Sequence, residues 1–147
     1  MNCMNPVAVE IAPALEVTEV RLPMGLLGFE QIKDYLLVSK PAEDPFCWLQ
    51  VKDNSSLAFV ILDPFLAAPD YRPDIPPQDV DFLGLTAPED AQLFNIVTLH
   101  GPNRATVNLK GPVVLNRRTR VGKQVVLANA SQYSVEHPLP LGQTGQE

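Results

Sequence analysis

Fifteen prolines and eight glycines punctuate this chain so often that few stretches could hold an uninterrupted helix, because proline has no N–H to donate and its ring clashes with the preceding turn. Between these breaks lie short runs rich in β-branched and aromatic residues, which read as strands. Residues 17–22 alternate, with Thr18, Val20 and Leu22 on one face and Glu19 and Arg21 on the other, the period of a half-buried strand. Further strands are expected at residues 35–39, 46–51, 58–62, 93–99, 105–109, 113–115 and 123–127. The turn formers at 53–56 and 101–103 mark hairpins. Links this short join antiparallel neighbours. The expected fold class is all-β: an antiparallel, barrel-like single domain with one or two short helices.

The helices are expected in the least strand-like part, residues 63–88, where prolines stand at 64, 69, 73, 76 and 77. Residues 78–83 followed by Gly84 predict a helix closed by a left-handed glycine. Thr86 and Glu89 have the spacing of a capping box at a second helical start. A chain of 147 residues can build one hydrophobic core without disulfides or metals. One domain over 1–147 is expected, with its core in about 17–139 and mobile ends at 1–6 and 141–147, which offer little to bury.

Charge and hydropathy narrow the function classes. With a net charge of −6 and 11 basic residues, the surface should repel a phosphate backbone, whose affinity for proteins comes from clustered Lys and Arg. No direct nucleic-acid binding is expected. The apolar run at 57–62 is far short of the roughly 20 residues that cross a bilayer as a helix. The N-terminal MNCMNPVAVEIAP lacks a basic flank followed by an apolar leader segment, so the expected compartment is the cytoplasm. Cys3 and Cys47 make no disulfide framework.

No catalytic or cofactor signature emerges. CxxC, HxxxH and HExxH are missing and the histidines are His100 and His137, a poor ligand set for zinc or iron. A Cys47–His100 nucleophile pair is conceivable, but Cys47 sits between Phe46 and Trp48, where a buried structural thiol is expected. His100 is expected as a solvent-facing turn residue. No dinucleotide, P-loop or nucleophile-elbow motif occurs. LPMGLLGF at 22–29 reads as a glycine turn that carries apolar residues, Phe29 among them, into the core. The acids Asp63, Asp70, Asp74, Asp79, Asp81, Glu89 and Asp90 form either a solvated face or a docking face. Within them Phe65 and Tyr71 stand beside Asp63 and Asp70, an aromatic and charged mixture suited to a protein-binding site. The alternative for Phe65 is a core position.

Five segments then occur in a recognisable order: LPMGLLGFE at 22–30, PFCWLQ at 45–50, LAFVILDPFLAAPDY at 57–71, NIVTL at 95–99, and a C-terminal block of TVNLKGPVVLN, RVGKQVVL and YSVEHPL. Together they resemble the bacterial flagellar assembly factor FliW family over roughly residues 17–139. The family's first motif reads FPEGLLGFE, so Met24 replaces an acid; Lys110 and Gly111 depart from the pattern before Pro112, and Glu136 stands where an arginine is typical. The resemblance implies an antiparallel β-barrel-like fold with small helical additions and no enzymatic activity. It also implies two protein partners, flagellin and CsrA, an RNA-binding translational repressor whose targets include flagellin messages. Secretion of flagellin would free the factor to antagonise the regulator. Two other readings are a small-molecule-binding barrel, which needs a roomy internal cavity, and a flavin-dependent barrel enzyme, for which no phosphate-cradling motif is present.

Overall fold

In the computed structural model, residues 16–139 are described; the expectations for 1–6, for 141–147 and for Cys3 lie outside them. The strands are β1 (Glu16–Arg21), β2 (Asp34–Ser39), β3 (Phe46–Val51), β4 (Ala58–Leu62), β5 (Ala91–Leu99), β6 (Ala105–Val107), β7 (Val113–Asn116), β8 (Gly122–Gln124) and β9 (His137–Leu139). Two short helices, α1 (Pro64–Ala67) and α2 (Pro77–Leu83), fall between β4 and β5. None of the described helices is long and apolar enough to cross a membrane.

The strands form one antiparallel sheet in the order β1-β2-β3-β4-β5-β6-β9, with β7 paired to β5 and β8 to β7. The long β5 divides its length: Val97 to Leu99 pair with β6, while Ala91 to Phe94 pair with β7. The sheet therefore forks along β5 and curls over two cores. Val20, Leu22, Tyr35, Leu49, Ile61, Val113 and Leu115 pack in one; Leu62, Tyr71, Leu83, Val107, Val114 and Leu127 pack in the other. Ile61 and Leu62, like Val113 and Val114, are neighbours in sequence that enter different cores, because successive strand residues face opposite ways. Both faces of β4 and β7 are buried, which is why their sequences are continuous apolar runs without alternation. The all-β antiparallel fold with small helices is as expected, and the curvature is barrel-like, but the sheet does not close.

Details follow local chemistry. Val20 and Leu22 are buried while Glu19 and Arg21 are exposed, the alternation expected for β1. Pro77 opens α2, where a missing N–H costs nothing, and Gly84 ends it at φ 67, ψ 33. The capping acid at the next turn is Asp90, not Glu89: its carboxylate accepts from the Thr86 hydroxyl (2.8 Å) and from the Thr86 and Ala87 N–H groups, and the turn it closes is a single 3₁₀ turn, Pro88–Asp90. β6 stops at Val107 because the Asn108 side chain accepts from the Lys110 and Gly111 N–H groups, turning the chain out of the sheet. β8 likewise ends at Gln124, although Val125 and Leu127 beyond it remain buried. β9 was not expected; it contains Pro138 and is an edge strand, where proline is tolerated.

Candidate protein-binding surface

The 63–71 segment leaves the sheet, makes one helical turn and returns to the core. Asp63 is the N-cap of α1, its carboxylate accepting the Phe65 N–H at 2.9 Å, and Pro64 occupies the first helical position. Two turn bonds of 2.9 Å bring the chain back, Ala68 N–H to the Pro64 carbonyl and Tyr71 N–H to the Ala68 carbonyl. A capped, proline-started turn tied at both ends has little freedom. It holds Phe65 at 44% exposure and Leu66 at 61%, so the core alternative for Phe65 is not realised.

Tyr71 requires a correction. Expected as an aromatic anchor of a protein-binding site, it is 3% exposed and belongs to the core: its hydroxyl donates to the Leu109 carbonyl at 2.6 Å and accepts from the Asn95 amide at 3.4 Å. Its ring stands edge-on to Tyr133, centroids 4.8 Å apart. Burial pushes its hydroxyl pKa up to about 12. Tyr71 thus supports Phe65 from beneath, at 5.8 Å between ring centroids, and is out of a partner's direct reach. Asp70 is exposed beside it. On one flank of Phe65 lies an apolar groove of about 390 Å³ lined by Pro73, Ile75, Val80, Leu85 and Leu93. Asp70 borders a separate, more polar cleft with Gln132, Tyr133 and His137.

The acidic face is smaller than the sequence suggests, because three of its members hold the fold. Asp63 is the helix cap. Asp79 is buried and ion-paired with Lys123, whose ammonium also sits 5.5 Å from the Phe82 ring centroid. Asp90 accepts the Thr86 hydrogen bonds and pairs with Arg118 at 3.4 Å; the Thr86 hydroxyl first, and then Arg118, hold its pKa down at about 2. Asp70, Asp74, Asp81 and Glu89 remain exposed.

Cys47 and His100 are not brought together. Cys47 is half-buried in β3, opposite Ser39 and Ile61, and lines a cleft with Leu37 and Phe94. His100 is exposed on the β5–β6 hairpin, bonded through Nε2 to the Thr106 hydroxyl at 2.8 Å, and borders a different cleft with Phe29 and Val135.

That second cleft is a surface the sequence reading missed. In the 22–29 turn, Leu22 and Leu26 are buried while Leu27 and Phe29 stay on the surface, so the expectation that Phe29 enters the core is corrected. Phe29 packs edge-on against Phe59, centroids 5.1 Å apart. Gly25 sets this split: at φ 68, a Cβ there would lie 2.6 Å from the Phe29 carbonyl oxygen, so only glycine lets the chain fold back closely enough. The signal for it is the glycines at 25 and 28, since glycine in a turn marks a left-handed backbone that redirects the residues around it.

Comparison with known proteins places the chain. The model of the FliW protein family matches residues 8–139. The flagellar assembly factor FliW of Leptospira biflexa is 40% identical over 109 residues, 73% of this chain and 71% of its own length. That of Natranaerobius thermophilus is 39% identical over 130 residues, 85% of each chain. A crystal structure of the flagellar assembly factor FliW superposes with a TM-score of 0.74 at 33% identity, covering 82% of this chain and 84% of that one. A family model spanning the whole described region, with relatives and a solved structure aligned over most of their length, shows that this chain belongs to the FliW family.

Proposed function

We propose that this chain is a cytoplasmic flagellar assembly factor that binds flagellin and antagonises the translational regulator CsrA by protein–protein contact, without catalysis and without a cofactor. The observation that carries the reading is the exposed Phe65–Leu66 pair on a rigid, capped turn, beside Asp70 and above a groove of apolar side chains. Rigid aromatic anchors beside a pocket are where binding energy concentrates. The exposed acids and the net charge of −6 complement a partner whose RNA-binding surface is basic, which speeds encounter and orients docking. Flagellin binding draws more on the apolar residues. A small-molecule reading gains no support from the core between β1, β3 and β7, where the space among Val20, Leu22, Leu49 and Ile61 is about 10 Å³, at most the room of one water.

The deciding experiment immobilises this protein, saturates it with CsrA from the same organism and titrates flagellin. Release of CsrA as flagellin binds is expected. A stable ternary complex would refute competition, and failure to bind either protein would remove the assignment. Raising salt from 0.1 M to 1 M, which shortens the screening length from about 10 to about 3 Å, should weaken the CsrA complex more than the flagellin complex.

A further inference from the structure

The curled sheet begins to close between β1 and the β7–β8 hairpin and then stops. Arg21 donates its N–H to the Arg120 carbonyl at 2.9 Å, and Arg21 and Val121 form a single parallel bridge. The direction of every backbone group on β1 follows from its pairing. The Leu22 N–H donates to the Lys33 carbonyl at 2.8 Å, and antiparallel pairs alternate between bonded and non-bonded, so Glu16, Thr18 and Val20 exchange bonds with β2. Val17 and Glu19, in register with Val38 and Leu36, therefore aim their N–H and C=O groups away from the sheet. Both residues are exposed, and among the described residues no backbone partner meets them.

The opposite edge is treated differently. His100 and Asn108 bond to Arg104 and Ile96, so by the same alternation Thr106 directs its backbone to β5. Pro138, in register with Thr106 on β9, thus turns its ring nitrogen outward, and a strand arriving there finds no donor. One edge is blocked by a proline while the other keeps its donors and acceptors. On β1 the charges of Glu16, Glu19 and Arg21 disfavour pairing with a second copy.

Beside this open edge runs a cleft of about 340 Å³ whose lining combines the apolar Leu37, Phe94 and Leu115 with polar side chains and with three charged ones, Glu16, Arg117 and Arg120. Among the described residues neither guanidinium has a carboxylate within 4.0 Å, and neither does that of Arg21. Arg117 instead donates to the Glu89 carbonyl, and Arg120 sits in the left-handed region at φ 64. In a chain of net charge −6, the two arginines of this lining outnumber its one acid, Glu16.

We propose that this seam is a strand-addition site that takes an extended segment of a protein partner bearing an apolar side chain and, two residues away, an aspartate or glutamate. The added strand bonds to the backbone groups of Val17 and Glu19, and its alternate side chains point into the cleft. The apolar one meets Leu37, Phe94 and Leu115, and the carboxylate meets Arg117 and Arg120. This site shares no residue with the Phe65 surface and stands or falls independently of the partners proposed above.

The test uses the full chain and a fluorescent nine-residue peptide, both ends blocked, with leucine and glutamate at alternate positions in a threonine background. Saturable binding is expected, with new hydrogen-exchange protection at the Val17 and Glu19 amides. A matched peptide with lysine for glutamate should bind at least about tenfold more weakly, as should the glutamate peptide to an Arg117→Glu, Arg120→Gly double variant. Glu19→Pro should abolish binding without removing a β1–β2 hydrogen bond, since that N–H points outward; if it does not fold, the exchange data on the unaltered chain decide. Equal affinity for the lysine peptide, or no binding at all, would overturn the proposal. So would Val17 and Glu19 amides already protected before peptide is added, whether by a second copy, seen as a dimer in sedimentation, or by the chain itself.

Discussion

Replacing Tyr71 with phenylalanine removes one hydroxyl and leaves the ring, its edge-on contact with Tyr133 and its contact with Phe65 in place. What is lost is the 2.6 Å bond to the Leu109 carbonyl and the longer contact with Asn95. A buried carbonyl stripped of its partner costs about 1–3 kcal/mol. For a domain of this size each kcal/mol lowers Tm by roughly 3–5 °C, so Tyr71→Phe should melt several degrees lower than the parent. Phe65→Ala is the counterpart. Phe65 is 44% exposed, so truncation forfeits only part of the ~3 kcal/mol that a buried aromatic contributes and should cost less than about 2 kcal/mol. If Phe65 is the anchor, its loss should instead weaken flagellin capture by about tenfold or more. Thermal unfolding and calorimetric titration of both variants separate the two roles. A Tyr71→Phe protein that melts normally but fails to bind would refute the division of labour, and so would a Phe65→Ala protein that melts low but binds normally.

The sequence carried the strands well because their signal is local. Alternation in β1, the turn formers at 53–56 and 101–103, and the glycine after α2 act over a few residues and survive in the fold. What it carried poorly depends on the partner face. Tyr71 and Phe65 are both aromatics beside an aspartate; which one is buried is decided by the Leu109 carbonyl, 38 residues away, a contact that no local pattern encodes. The acidic set shows the same limit, since Asp79 pairs with Lys123 across 44 residues and Asp90 with Arg118 across 28. β9 was illegible for a different reason: its proline argues against a strand unless the strand is known to lie at an edge. Phe29 differs from its expectation for a third reason: the left-handed Gly25 splits its neighbours between core and surface, a backbone geometry that the apolar pattern does not report.

That glycine gives a direct test of backbone geometry. Gly25→Ala would press a methyl against the Phe29 carbonyl and Glu30 backbone at 2.6–2.7 Å, whereas Gly28→Ala, at φ 90, meets open space. Both pay for a left-handed backbone, about 1 kcal/mol, but only Gly25→Ala adds a clash with main chain, so it should melt distinctly lower; equal melting temperatures would contradict the close approach. Asp90 supplies a pH test. Its pKa is lowered from 3.8 to about 2 by the Thr86 hydrogen bonds and Arg118, so the unfolded chain takes up a proton at higher pH than the folded one. The stability this contributes is therefore complete above the unfolded value of 3.8 and is lost as pH falls toward about 2. Thr86→Val removes the hydroxyl bond, the largest of these causes, while keeping shape, the backbone N–H bond and the carboxylate, which should move the folded pKa back upward and flatten the acid side of the Tm-versus-pH profile in that window. Because the same hydrogen bonds fix the turn that leads into β5, the variant should also melt slightly lower at neutral pH, where the carboxylate is charged in both states. A variant whose acid profile overlays the parent's, with Tm unchanged at neutral pH, would show that the Thr86 hydroxyl neither holds the carboxylate's proton affinity down nor closes the turn.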